Sequence, residues 1–389
     1  MILSPVTRTI LALGVTQIVG YGTLYYAFAV LAGQLTTEVG VSMPFAFGAF
    51  SLALLAGGAI APVAGRAIDR YGERRVMGLG SVGAGLALAA LSQATGPVTL
   101  VAALILVEMV SAMVLYDAAF AALAQIAGAA GARRAITLMT LIGGFASTVF
   151  WPVTHLLGEQ IGWRETYLIF AALHLFVCLP LHMTLRRRVV SDVERSAPAE
   201  SALLPVSKHG RAMLWLAVAF SLGGVVLSAL TVQWVLVLQA TGLSAAAAVT
   251  AGTLLGPAQV GVRVIDLIFG VRQHPMTMAL MSGGLLVLSL GLLMAMPTSL
   301  AGAMVFATVF GLASGLTSIV RGTVPLALFG AEGYAGRLGL LAGLRLASSA
   351  LAPFALSLAL ASLGAGVTIS VAFGVALAAM IALALVPRG

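Results

Sequence analysis

Twelve apolar runs fill nearly the whole of this 389-residue chain, and each is close to or above the length a helix needs to cross a bilayer, about 20 residues. They lie at 10–34, 43–64, 76–94, 99–127, 135–159, 164–184, 211–238, 244–267, 276–296, 299–329, 334–360 and 364–386. Inside hydrocarbon every backbone polar group must find its partner within the chain, so runs like these restrict the fold to packed helices. Only 8% of residues are charged and 61% are hydrophobic, against roughly 25% charged in soluble domains, which excludes a soluble protein. The 45 Gly and 14 Pro interrupt apolar runs rather than forming a low-complexity repeat. The lone cysteine, Cys178, excludes disulfide frameworks and thiolate metal clusters and is read as apolar filler. A net charge of +8 is spread singly or in short clusters between the runs, so no basic surface for nucleic acid is expected.

The one long polar interval, 185–210, divides the spans six and six. The predicted organisation is an N-terminal six-helix bundle over 1–184, a linker over 185–210 whose mixed charge and Ser/Pro/Ala content suit a mobile segment, and a C-terminal six-helix bundle over 211–389. Placing the N-terminus in the cytoplasm puts eighteen of the twenty Lys and Arg on the inner side, leaving Arg164 outside and Arg345 within a span. The expectation is therefore a protein of the cytoplasmic (inner) membrane with both termini and the linker cytoplasmic. The first run is too long for a signal-peptide core and reads as a retained helix.

The two halves repeat. Arg66-Ala67-Ile68-Asp69 after the second span matches Arg263-Val264-Ile265-Asp266 after the eighth, an offset of 197. Phe145-Ala146-Ser147-Thr148 with Pro152 matches Leu346-Ala347-Ser348-Ser349 with Pro353, an offset of 201. Two matches at nearly one offset argue for duplicated six-helix halves. Between spans 2 and 3 the chain reads Gly65-x-x-x-Asp69-Arg70-x-Gly72-x-Arg74-Arg75. With twelve spans and a central linker, this sequence resembles the major facilitator superfamily over its whole length. The resemblance implies two pseudo-symmetric six-helix bundles around a midplane site, alternating access by rocking, and a conformational latch. In that latch Asp69, carried over from the family motif with Gly65, Arg70, Gly72, Arg74 and Arg75, would meet the stretch from Gly333 to Arg337. The alternative is a basic cluster that only fixes topology. Span 5 lacks the GxxxGPxxGG pattern of proton-antiporting drug exporters, so that subclass loses weight, and span 4 also lacks the arginine found there in many proton-coupled members.

Charge inside a bilayer costs about 2.5–3.5 kcal/mol per residue, so spans carrying it are searched first for function. Span 4 holds Glu108 and Asp117. On a continuous helix their nine-residue separation puts them on opposite faces, about 180° apart. Glu108 has a candidate partner at similar depth in His155 of span 5, either as a proton relay or as an interhelical hydrogen bond. Asp117 is a cavity carboxylate or the partner of Arg321 in span 10, which is a gate or substrate contact or else snorkels to the inner surface. Arg345 lies about twelve residues into span 11, too deep to snorkel, with Ser348 and Ser349 on the same face. A guanidinium offers a planar fork that matches a carboxylate or phosphate, so an anionic substrate is its natural ligand; a buried ion pair with Asp117 or Glu108 is the alternative. Gln17, Tyr21 and Tyr25 form a stripe on span 1 that could hydrogen-bond and stack on a ligand, with Gln233, Trp234 and Gln239 of span 7 facing it less securely. His174 and His182 read as packing or interfacial residues.

No phosphate loop, nucleophile elbow or metal-ligand cluster occurs, so neither an enzyme nor a cofactor or metal is expected. The function predicted is secondary transport of a small organic solute, an organic anion held by Arg345, linked to protons through a span-4 carboxylate, by a monomer in the lipid bilayer. Import or export, and symport or antiport, stay open. Two alternatives remain: an exporter of amphipathic drugs or other apolar compounds, and a non-transporting membrane sensor.

Overall fold

The computed structural model describes residues 4–185, 204–269, 273–295 and 299–387. Most of the expected linker, with Arg186, Arg187, Arg188 and Arg195, lies outside them, as do Arg272 and Arg388. Among the described residues all regular structure is helical.

The first helix, α1 (Pro5–Val39), starts under a Ser4 side chain that accepts from Thr7 N at 3.1 Å, satisfying one of the free N–H groups of the first turn. It is α-helical over Pro5–Gly20, π-helical over Tyr21–Tyr26 and α-helical again over Ala27–Val39. Then follow α2 (Met43–Tyr71) and α3 (Glu73–Ser92), separated by Gly72 alone. The fourth, α4, runs Pro97–Val114, breaks at Leu115, whose extended ψ of −167° stops the hydrogen-bond ladder, and restarts at Tyr116.

By length and hydropathy ten helical segments are candidate spans, but two of these, Gly131–Met183 and Tyr334–Ala384, contain 53 and 51 residues. At 1.5 Å per residue each would reach about 80 Å, far beyond a hydrocarbon core of about 30 Å. Each doubles back at a glycine: Gly162 with φ 86° and Gly364 with φ 76°, a backbone conformation closed to residues with a Cβ. The long segments therefore supply α5 (131–161) and α6 (163–183), then α11 (334–363) and α12 (365–384). Between them lie α7 (206–240), α8 (Ala245–Phe269), α9 (Pro275–Ala295) and α10 (Leu300–Phe329). Twelve spans result.

The second helix overruns its apolar stretch. Gly65 to Arg70, expected as a loop, is the last part of α2, and Arg263 to Asp266 lies inside α8. Nothing in that segment breaks a helix before Gly72, whose φ of 86° does.

Residue contacts divide the chain into two compact units, Met1–Ala199 with Gly330–Gly343, and Glu200–Phe329 with Leu344–Gly389. The first part of α11 thus packs with α1–α6. In the first unit Leu31, Leu35, Leu88, Leu100, Trp163 and Phe170 form the core. One end of that unit is stapled by Arg164, which donates from Nε to Glu38 at 2.6 Å and from Nη2 to the Ala94 carbonyl at 2.8 Å, while Trp163 Nε1 donates to the other Glu38 oxygen. In the second unit Trp234 stacks on Phe306 at 5.0 Å and donates to the Ala248 carbonyl, so it is a core residue and does not face a ligand.

Candidate functional site

The π-helical turn of α1 sets the geometry of the first unit. In an α-helix residues five apart diverge by about 140°, whereas a π turn bonds i to i+5 and brings them over one another. Tyr26 is thereby returned to the side of Tyr21 and Tyr25, with ring centroids 6.4 Å and 5.4 Å from theirs. Tyr21 also lies 4.6 Å from Tyr116 at the restart of α4. All three α1 tyrosines are half-buried.

Gln17, expected on the same stripe, is wholly buried. Its Nε2 donates to the Val114 carbonyl at 2.9 Å, the acceptor freed by the break in α4. The amide braces the break and is removed from any ligand face.

The break also alters the reading of span 4. Asp117 sits in the first turn of the restarted helix, where a carboxylate meets the positive end of the helix dipole. It acts electrostatically on the buried Tyr334 at the start of α11. Glu108, 6% exposed, lies on the α2 side of α4: a Cβ built on Gly57 would be 3.4 Å from its own Cβ. Glu108 Oε1 has no hydrogen-bond partner among the described residues. His155 is exposed on α5, and no hydrogen bond or ion pair joins it to Glu108. Similar depth was legible in the sequence, but Glu108 is buried against α2 while His155 is exposed. His174 and His182 are buried, bonded to Thr23 Oγ1 at 2.9 Å and Ser81 Oγ at 2.7 Å, and tie α6 to α1 and α3.

At the other end of α2, Asp69 accepts hydrogen bonds from the backbone N–H groups of Ala335 at 3.2 Å and Gly336 at 2.6 Å. Those are free donors of the first turn of α11, so Asp69 caps that helix from a distance of 266 residues in sequence. The close approach is made by glycines. A Cβ at Gly65 would collide with the Ala335 carbonyl, one at Gly339 with the Ala61 carbonyl, and one at Gly343 would stand 2.5 Å from the Gly58 carbonyl. Arg70, Arg74 and Arg75 are exposed.

In the second unit Arg345 is half-buried, and its stem rests on α7, where a Cβ at Gly224 would meet Arg345 Cγ at 2.7 Å and Ser349 Oγ at 2.8 Å. Ser349 Oγ is buried with no hydrogen-bond partner among the described residues. Ser348 Oγ turns back on its own helix, donating to the Arg345 carbonyl at 2.9 Å. Gln233 Nε2 donates to Ser357 Oγ at 3.0 Å, which ties α7 to the second part of α11. Arg321 of α10 has a buried Nε without a hydrogen-bond partner among the described residues, and three residues before it Ser318 accepts from Arg263 at 3.3 Å.

A family model, the Major Facilitator Superfamily, matches residues 13–353. The chain belongs to that superfamily. Its members are membrane transporters, and twelve helices in this arrangement are the superfamily's fold. Among solved structures it is similar to the human organic anion transporter MFSD10 (TETRAN), with TM-score 0.74 and 14% identity, covering 98% of this chain and 100% of that one. It is similar also to the proton:xylose symporter XylE bound to 6-bromo-6-deoxy-D-glucose, at 0.75 and 13%, covering 98% and 96%, and to the E. coli fucose:proton symporter FucP, at 0.75 and 12%, covering 100% of both. At these identities the likeness is one of fold. No curated protein matches the sequence.

For a superfamily transporter the sequence left out Tyr26, Tyr116 and Trp151, which the structure brings into ring contact with Tyr21 or Tyr26. Their signal was the Tyr-Tyr pair at 25–26, which a regular helix would have split between two faces.

Proposed function

We propose that this transporter moves a small organic anion by proton-linked alternating access, with Arg345 as the anion anchor. The observation that carries the reading is a half-buried guanidinium twelve residues into Tyr334–Ala350, beside a buried serine hydroxyl that has no hydrogen-bond partner among the described residues. A planar fork of N–H donors next to an open hydroxyl suits a carboxylate. The organic anion transported by MFSD10 and the proton coupling of XylE and FucP are consistent with it. Arg321 and Gln233 are assigned a supporting place in the same unit, and Tyr21 and Tyr25 the ligand-facing part of the first. The inner-membrane location with cytoplasmic termini rests on the distribution of basic residues.

Coupling is assigned to Glu108, a buried carboxyl group whose Oε1 has no hydrogen-bond partner among the described residues, ahead of Asp117, whose charge serves the restarted helix. The test is flux in proteoliposomes. Glu108→Gln is expected to abolish accumulation driven by a pH gradient while leaving exchange of internal for external substrate. Full gradient-driven uptake by both Glu108→Gln and Asp117→Asn would remove proton coupling from the account.

The Asp69 cap is proposed as a latch that holds one conformation. Asp69→Asn keeps the shape but removes charge at a helix N-terminus, about 0.3–1 kcal/mol in one state only, enough to change a conformational ratio up to severalfold. Turnover should fall more than substrate affinity. Unchanged distance distributions between spin labels placed on α2 and α8 would count against the latch.

A further inference from the structure

From the corner between α2 and α3 we infer that the first unit holds the headgroup of an anionic phospholipid, bound by Arg66, Arg70, Arg74 and Arg75. All four side chains are exposed, and they fall within ten residues of chain. The rule that basic residues stay on one side of a membrane accounts for their presence there, but not for how their surroundings are arranged.

The two carboxylates of the same stretch are withdrawn from that surface. Asp69 spends one oxygen on the Ala335 N–H and the other on that of Gly336, and Glu73 is wholly buried. Among the described residues no ion pair or hydrogen bond joins any of the four guanidinium groups to a carboxylate. The far end of α3 shows the contrast, for Arg164 is engaged there by Glu38 and by the Ser92 and Ala94 carbonyls. Four like charges crowded together without partners repel one another, and an anion set among them relieves that repulsion.

Helix length puts this corner at the bilayer surface. The 29 residues of α2 extend about 43 Å, against a hydrocarbon core of about 30 Å. The excess belongs at the charged end, because a guanidinium in hydrocarbon is costly. Arg66 and Arg70 therefore stand in the headgroup layer, and Gly72, with φ 86°, turns the chain so that Arg74 and Arg75 begin α3 beside them. Between the two pairs lies Tyr71, 52% exposed, its ring centroid 5.2 Å from the Arg70 guanidinium carbon; tyrosine is a residue of that layer. Four or more Arg or Lys at the end of a spanning helix attract anionic lipid. A guanidinium fork matches two oxygens of one phosphate, whereas the ammonium group of a zwitterionic headgroup is repelled by the neighbouring arginines. The ligand class is therefore a phospholipid of net negative charge.

Native mass spectrometry of the purified full-length protein, titrated in detergent with phosphatidylglycerol and with phosphatidylcholine of the same acyl chains, reads the preference. Each arginine near a membrane surface contributes roughly fivefold for anionic lipid, so phosphatidylglycerol should bind about 25-fold tighter even if only two of the four engage it. Arg74→Gln combined with Arg75→Gln should lower the ratio by about that factor, and Arg74→Lys with Arg75→Lys should lower it less. Lys208→Gln with Arg211→Gln removes two exposed charges from the start of α7 and should leave the ratio unchanged. Equal binding of the two lipids by the wild type, an undiminished ratio in the double glutamine variant, or an equal loss in the α7 control would each overturn the inference. Displacement of phosphatidylglycerol by millimolar inorganic phosphate, but not by chloride at equal ionic strength, would overturn the lipid in favour of a soluble phosphate.

Discussion

Arg345→Gln is expected to abolish binding of the transported anion while the protein stays folded. Removing one partner from a desolvated charge pair costs about 2–5 kcal/mol, which corresponds to a loss in affinity of roughly 30-fold to several thousandfold. Arg345→Lys keeps the charge and most of the stem that rests on Gly224, but loses the fork, so it should also bind weakly. If Arg345 instead served an internal ion pair, Arg345→Gln would lower the melting temperature, and a second neutralisation at Asp117 or Glu108 would restore it. Affinity measured beside melting temperature separates the two. Wild-type affinity in Arg345→Gln would end its role as anchor and shift weight to an exporter of apolar compounds.

Gly339→Val should be strongly damaging at the contact of α2 with α11. A Cβ there would collide with the Ala61 carbonyl, and a backbone oxygen, unlike a flexible side chain, cannot swing aside. Helices in a bilayer associate through such small-residue contacts, because hydrocarbon gives no hydrophobic drive between them. Over-packing costs about 1–3 kcal/mol in well-packed cores, and here the separation forced on the helices also withdraws Ala335 and Gly336 from Asp69. The expected result is a large fall in melting temperature, with a smaller fall for Gly339→Ala. Gly374→Ala is the control: a Cβ there meets nothing within 4 Å, so the substitution should be neutral or mildly stabilising through helix propensity. A melting temperature in Gly339→Val equal to that of the control would mean the close approach carries no stability.

The chain belongs to a transporter superfamily whose fold was legible in one dimension. Span number follows from counting apolar residues, because the bilayer imposes a length, and the two long helical segments simply fold at Gly162 and Gly364 to restore that count. The motif from Gly65 to Arg75 and the repeated RxID segments were legible for the same reason, being patterns of spacing.

What a spacing pattern does not contain is direction around the helix axis. The sequence placed Glu108 and His155 at similar depth, and only packing decided that Glu108 is buried against α2 while His155 is exposed. Opposite faces for Glu108 and Asp117 assumed an unbroken helix, which the turn at Leu115 removes. Gln17 belonged to a polar stripe until that same break freed the Val114 carbonyl for it to bind. Tyr26 joined the rings of Tyr21 and Tyr25 only because α1 is π-helical from Tyr21 to Tyr26. Span length and charge depend on which residues are present, and so the sequence alone determines them. Azimuth depends on the cumulative rotation of each helix, which one irregular turn resets, and that is decided by tertiary packing.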